Sequence, residues 1–321
     1  MKQAMTKAST DQPSVSDWLK ALPLYPLPHH AVSRVVHAAT RWRTVWWKNA
    51  LTDWFIQRFG VDLSEASVSD PHGYPHFNAF FTRSLRKGAR PLPQDMYSVV
   101  SPADGTVSAI GGIDNGTIVQ AKGHAYTVAD LLGGDAELAE QFNGGRFATI
   151  YLSPRDYHRL HMPAGGLLRQ MIHVPGRLFS VAPFTVRTVK RLFARNERVA
   201  ALFETARGPL AMVLVGAINV ASIETVWAGV VTPPKGKKVR RWQYQDGKPW
   251  RLARGEEMGR FNMGSTVIVL FGPEQIEWLA EIEPGQTVRM GQALGRESGV
   301  DQYGNVVRLD SYVRNAPRGK Q

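Results

Sequence analysis

The sequence predicts an α+β protein, with N-terminal amphipathic helices followed by a mainly antiparallel, β-sandwich-like domain. Residues 30–60 repeat apolar side chains mostly at three- and four-residue steps, which is helical spacing. From Val99 onward the texture changes to short β-branched runs punctuated by Gly, Pro and Asp, which is strand-and-turn spacing. An apolar share of 43% against 21% charged residues supplies a packed core rather than a disordered chain.

Residues 1–28 read as a loose tail, broken by Pro13, Pro23, Pro26 and Pro28. In 30–60 the apolar series is Val32, Val35, Val36, Ala39, Trp42, Val45, Trp46, Leu51, Trp54 and Phe55. Arg34, Arg41, Arg43, Lys48 and Arg58 lie between them, and Asp53 is the only acid. Indole rings beside cations suit a membrane interface, with Trp42, Trp46 and Trp54 as the candidate contacts. A helix packed on the protein's own core fits the same pattern, and this segment alone leaves both readings open. Residues 74–90 continue as a helix-like segment ending in the basic run Arg83 to Arg90.

The strands are expected at Thr106–Ile110, Thr117–Val119, Phe147–Leu152, Leu210–Val220 and Thr266–Leu270, with helical inserts near Val128–Phe142 and Val186–Ala194. The division is therefore a helical, membrane-associating region at 1–96 and a β-rich domain at 97–321. Two turns, at 101–107 and 283–295, echo those of flattened β sandwiches that carry biotin or lipoate. Neither has a modifiable Lys at its tip, so the echo concerns fold alone.

The net charge is +12, and it is unevenly placed. Residues 1–96 carry 12 Lys/Arg against 7 Asp/Glu, 97–264 carry 21 against 13, and 265–321 carry 6 against 7. The basic excess lies before Ser265 and favours anionic partners. No nucleic-acid recognition motif accompanies it, so nucleic acid is not the expected partner. The absence of Cys excludes disulfides, thiolate metal ligands and a Cys nucleophile. The first twenty residues lack the apolar core of a signal peptide. The longest apolar stretch, Ala211 to Val231, is interrupted by Asn219, Ser222 and Glu224 and reads as buried strands rather than a span.

Three places could carry chemistry. Gly264-Ser265-Thr266 leads straight into an apolar strand, though a Ser after Gly is common in plain turns. The run Ser153-Pro-Arg-Asp-Tyr-His158-Arg-Leu-His161-Met-Pro163 holds two His three apart, fit for acid–base work, for zinc or for local hydrogen bonding. Zinc would need a third ligand, for which His124, His173 and Asp104 are available. Asp104 stands before Gly105 in a turn and matters only as a partner to one of the His residues.

Taken together, residues 101–107, 151–163 and 256–272 resemble the motifs of bacterial phosphatidylserine decarboxylase precursors, a pyruvoyl-dependent, self-cleaving family. Val174–Val181, Leu192–Val199 and Ser222–Val226 resemble it too, and the similarity runs from about residue 20 to about residue 300 with motif order preserved. Met263 stands where the family most often has Leu, and Ala182-Pro183 where polar residues are common.

The resemblance implies self-cleavage between Gly264 and Ser265 into a large (1–264) and a small (265–321) chain. Ser265 would become the pyruvoyl cofactor, with His161 as its base and Asp104 orienting His161. Phosphatidylserine would then be decarboxylated to phosphatidylethanolamine through a Schiff base, with His158 at the substrate carboxylate and as proton donor. Phe179, Ser180 and Phe184 are candidate lipid contacts. No metal is implied. The expected place is peripheral, on the cytoplasmic face of the cell's inner membrane, with phosphatidylserine in an anionic bilayer as partner. A homodimer is also entertained, and the residues do not decide it. Two other readings are a lysostaphin-type zinc peptidase, whose His-x-His pairing is missing, and a non-enzymatic membrane-binding module.

Overall fold

The computed structural model describes residues 7–8, 12–121, 124–218, 222–232, 238–245 and 249–299. The ends of the two predicted regions, at 1–6, 9–11 and 300–321, lie outside these, as do residues 219–220 of the predicted strand Leu210–Val220.

The supposed loose tail contains a helix, α1 (Val15–Ala21). Its start is a capping box: Ser14 Oγ accepts from the Asp17 N–H at 3.1 Å, and Asp17 accepts from the Ser14 N–H at 3.0 Å. Asp17 also pairs with Arg187 at 2.9 Å on the helix Pro183–Thr188. Proline spacing pointed to disorder because it marked where the helix could not continue, not where it began.

The segment 30–60 is two helices, α2 (His29–Arg41) and α3 (Val45–Phe59). The break falls at Trp42, whose backbone is extended, and α3 ends at left-handed Gly60. The helix expected over 74–90 shrinks to one short piece, α4 (Phe77–Phe81). A small aromatic core joins α3 to α4 through Phe55, Tyr74, Phe77, Phe80 and Phe81. Packing of these rings, rather than helical continuity, holds the segment.

The β-rich part is built on a ten-stranded antiparallel sheet among the described residues. Its central order is Gly105–Gly112, Arg146–Tyr151, Thr266–Phe271, Gly208–Val215, Arg198–Thr205 and Gly166–Val174. Thr266–Phe271 is buried at every position, and so are the last six residues of Gly208–Val215. Strands covered on both faces read as continuous apolar runs, which is why alternation is absent from Val-Ile-Val-Leu-Phe. A second sheet of four strands includes Ile223–Thr225, Glu257–Phe261 and Arg159–His161. The helical inserts appear as four short helices, Val128–Leu131, Ala136–Glu140, Pro183–Thr188 and Leu192–Arg195.

Candidate active site

Register brings the predicted residues to one end of the large sheet. Thr106, Tyr151 and Thr266 face one another across three neighbouring strands. Asp104 lies two residues before the first, the loop bearing His158 follows the second, and Ser265 directly precedes the third. Gly105 permits this closeness, since a Cβ there would meet the Tyr151 carbonyl oxygen at 2.4 Å.

Ser265 is fully buried, and its hydroxyl has no hydrogen-bond partner among the described residues. Its carbonyl accepts from the Leu152 N–H at 2.9 Å, fixing the backbone downstream of Gly264. His158 is also fully buried. Its Nδ1 lies 2.8 Å from the Asp156 carbonyl, which can only accept, so Nδ1 carries the proton and Nε2 presents a lone pair. Among the described residues that Nε2 has no hydrogen-bond partner, and it lies 3.6 Å from where a Gly264 Cβ would be. Phe81 of α4 stacks on the ring with centroids 4.1 Å apart. Burial, the largest cause, pushes the His158 imidazole down to about 3, against the raising effect of the Asp156 carbonyl.

His161 is occupied differently. Nδ1–H donates to the Gly255 carbonyl at 2.8 Å, so Nε2 accepts from the Tyr157 hydroxyl at 2.9 Å. Burial lowers its basicity as well. The expected Asp104–His161 contact is not formed. Asp104 instead holds Arg90, at 2.6 Å for the Nη2–Oδ2 pair, and accepts from the Met290 N–H at 2.7 Å. Arg90 also reaches Glu65 at 2.7 Å. A guanidinium with two carboxylates outcompetes a neutral imidazole for the same oxygen atoms.

An unusual backbone lies next to Gly264. Met263 has φ +155°, a conformation that costs a residue with a side chain about 1–3 kcal/mol. The residue before Gly264 is thus strained, and Gly264 itself is not at positive φ.

A cavity of about 400 Å³ opens beside the bond, lined by Met263 and Gly264 at one end and by Trp47, Leu51 and Trp54 of α3 at another. Ser180 lines it, together with Val181 and Ala182. Phe179 does not serve as a lipid contact. It is fully buried, its ring 5.1 Å from Tyr25 and 4.9 Å from His29, because the loop turns it inward under α2. Phe184 is half-buried on its short helix and is outside this lining. Trp42, Trp46 and Trp54 are 57%, 69% and 55% exposed, so this face of the helices is not core.

His124 and His173 do not join the pair. His124 bonds the Arg187 carbonyl at 3.0 Å, and His173 pairs with Glu197 at 3.0 Å. Among the described residues no three His, Asp or Glu side chains are grouped to hold a metal.

Sequence reasoning missed Arg90, Tyr157, Phe81 and the buried amides Asn78 and Asn262. Arg90 sits in the basic run 83–90 and Phe81 in the segment expected to be helical, and neither pattern sets the residue apart from its neighbours. Tyr157 stood inside the His motif and could have been flagged as the only phenol there.

Residues 77–296 match the family described as "Phosphatidylserine decarboxylase", and residues 19–60 match one described as "PSD". The chain belongs to the phosphatidylserine decarboxylase family. A protein of Alkalilimnicola ehrlichii named phosphatidylserine decarboxylase proenzyme is 66% identical over 254 residues, covering 79% of this chain and 88% of the relative. Proteins of the same name from Pseudomonas fluorescens and Pseudomonas aeruginosa are 58% and 56% identical, over 84% and 88% of this chain and 94% and 98% of theirs. Asp104, His158, His161, Gly264 and Ser265 all fall within the decarboxylase match, and Trp42, Trp46 and Trp54 within the second.

Proposed function

We propose that this chain is a precursor that cuts itself between Gly264 and Ser265 and then converts phosphatidylserine to phosphatidylethanolamine. Beyond family membership, one observation carries the reading: the Ser265 hydroxyl and His158 Nε2 are both buried and both unpartnered. Buried polar atoms are almost always satisfied, so two left open at one candidate scissile bond support chemistry there.

His158 Nε2 takes the proton of Ser265 Oγ, which bonds to the Gly264 carbonyl carbon. The Gly264–Ser265 amide bond breaks as His158 passes that proton to its nitrogen, leaving an ester and a free amine. Loss of the Ser265 Cα proton then breaks the Cβ–Oγ bond and frees Gly264 as a carboxylate. Water replaces the nitrogen, ammonia leaves, and residue 265 ends as a pyruvoyl ketone. Assigning the base to His161 instead would first require breaking its bonds to Gly255 and Tyr157, whereas His158 needs no such change.

The cavity fits such a group, since it is largely apolar and reaches Gly264. The pyruvoyl group supplies the electron sink that protein side chains lack. His158 Nε2, beside Gly264, is placed to relay a proton to the former α-carbon. Asp104 anchors the edge of the site through Met290 and Arg90, and the cavity between α2 and α3 shelters the start of an acyl chain.

The exposed indoles, with Arg34, Arg43 and Arg58 nearby, support docking on the anionic cytoplasmic face of the inner membrane. No helix among the described residues is long and apolar enough to cross a membrane.

Intact mass and a denaturing gel test the reading. Two chains are expected, one ending at Gly264 and one beginning at residue 265 and resistant to Edman sequencing. Ser265→Ala should remain whole. An active, uncut chain of 321 residues would overturn the proposal.

A further inference from the structure

The loop that carries the candidate scissile bond is pinned by a buried polar chain running back to the helical region. Asn78 Nδ2 donates to Asn262 Oδ1 at 2.9 Å, across 184 residues of sequence. Asn262 Nδ2 in turn donates to Ser222 Oγ, and the Asn262 N–H donates to the Ser222 carbonyl at 2.9 Å. All three residues are buried. Downstream, Ser265 is held by Leu152 and Thr266 by its pairing with Tyr151. Only Met263 and Gly264 lie between the two anchors, and Met263 is the residue at φ +155°.

We infer that Asn78 is a positioning residue for self-cleavage: through Asn262 it fixes one end of the Met263–Gly264 link so that the strained geometry cannot relax. The inference rests on the reading that the Gly264–Ser265 bond is the one cut. Strain before the scissile amide is relieved when Ser265 Oγ bonds to the Gly264 carbonyl carbon and the C–N bond breaks, its nitrogen taking the hydroxyl proton. A slack loop would spread the strain over Asn262 and its neighbours and leave Oγ less often in line with the carbonyl. The same short helix, α4, supplies Phe81 against His158. One element therefore sets both the loop and the candidate base, which ties processing to prior docking of residues 77–81 on the sheet.

The test follows precursor processing of the full chain after cell-free synthesis, with Asn78→Leu, Ser222→Ala and the double variant beside the parent. Ser222→Ala removes a single hydroxyl and keeps the test open should Asn78→Leu fold poorly. Folding is checked by thermal unfolding of each change on a Ser265→Ala background. Hydroxylamine, which cleaves the ester but not the amide, reports the share of folded precursor that has undergone the acyl shift. Both single variants should process about ten-fold or more slowly and yield less hydroxylamine-cleaved product per folded molecule. The double variant should be within about two-fold of the slower single, as members of one chain act together. If the parent is cut and the variants keep pace with it, or slow only in proportion to lost folded protein with an unchanged ester share, the clamp is refuted while the cleavage reading stands. A parent that stays whole overturns both.

Discussion

Replacing His158 by Ala is the most direct probe of the geometry at the cut. Nε2 lies 3.6 Å from the position of a Gly264 Cβ and has no hydrogen-bond partner among the described residues, so the change removes an uncommitted base beside the reacting atoms. A positioned general base is worth about 10²–10⁴ in rate, which is about 3–5 kcal/mol of barrier. The truncation also leaves the Asp156 carbonyl unpaired, a stability cost of about 1–3 kcal/mol that a Ser265→Ala background measures separately. His161→Ala strands the Tyr157 hydroxyl and the Gly255 carbonyl, but should slow cutting less than about ten-fold, since its nitrogens are committed elsewhere.

The pH profile adds an independent readout. A base pushed down to about 3 is neutral and competent above that pH, so processing should be level between about pH 5 and 8 and fall only toward the acid end. Gel densitometry of newly made precursor across pH supplies the rates. The reasoning is refuted if His158→Ala cuts within about ten-fold of the parent. It is equally refuted by a block in His161→Ala alone, or by a midpoint near 6.5, the ordinary histidine value.

Arg90→Ala leaves the partly buried Asp104 without its cation and should cost about 1–3 kcal/mol in thermal unfolding of the Ser265→Ala precursor. Arg90→Lys should recover only part of this, because the forked contact to Asp104 and Glu65 is lost. Stability should also fall in acid. Between its ordinary 6.5 and about 3, His158 takes up a proton when unfolded but not when folded, so the contribution is intact above pH 6.5 and drains as pH falls toward 3. The slope is about 1.4 kcal/mol per pH unit in that window, read by denaturant titration of the precursor. Changing Trp42, Trp46 and Trp54 to Ser should detach the protein from phosphatidylserine vesicles at high salt, where charge is screened and the indoles carry the binding. Sedimentation equal to the parent's would move the docking surface elsewhere.

Much of this was legible because it rests on local spacing. The helices of 29–59, the central strands and the position of Ser265 at a strand mouth follow from periodicity and turn chemistry. The different surroundings of the two histidines did not. His158 and His161 look alike in sequence, and only the carbonyls of Asp156 and Gly255 and the Tyr157 hydroxyl distinguish an open nitrogen from an occupied one. Asp104 was singled out as a possible partner to a His, but its actual partner Arg90 stood in the basic run 83–90, where nothing local sets one cation apart from the next. Phe179 was misjudged because an aromatic in a loop beside a site can turn either way, and here Tyr25 and His29 draw it inward. The Asn78–Asn262 link, spanning 184 residues, leaves no trace in local pattern.

The strand Thr266–Phe271 has six register partners on Arg146–Tyr151 and six on Gly208–Val215. A cut just before it would free a chain end without freeing a chain. The smaller piece would stay laced through the middle of the larger one, like a warp thread severed at the selvedge but still woven into the cloth. It could not be traded between molecules, nor restored by mixing separated halves, without unravelling the sheet. The nicked protein should therefore melt in one step, and maturation should be a one-way event in the life of each copy.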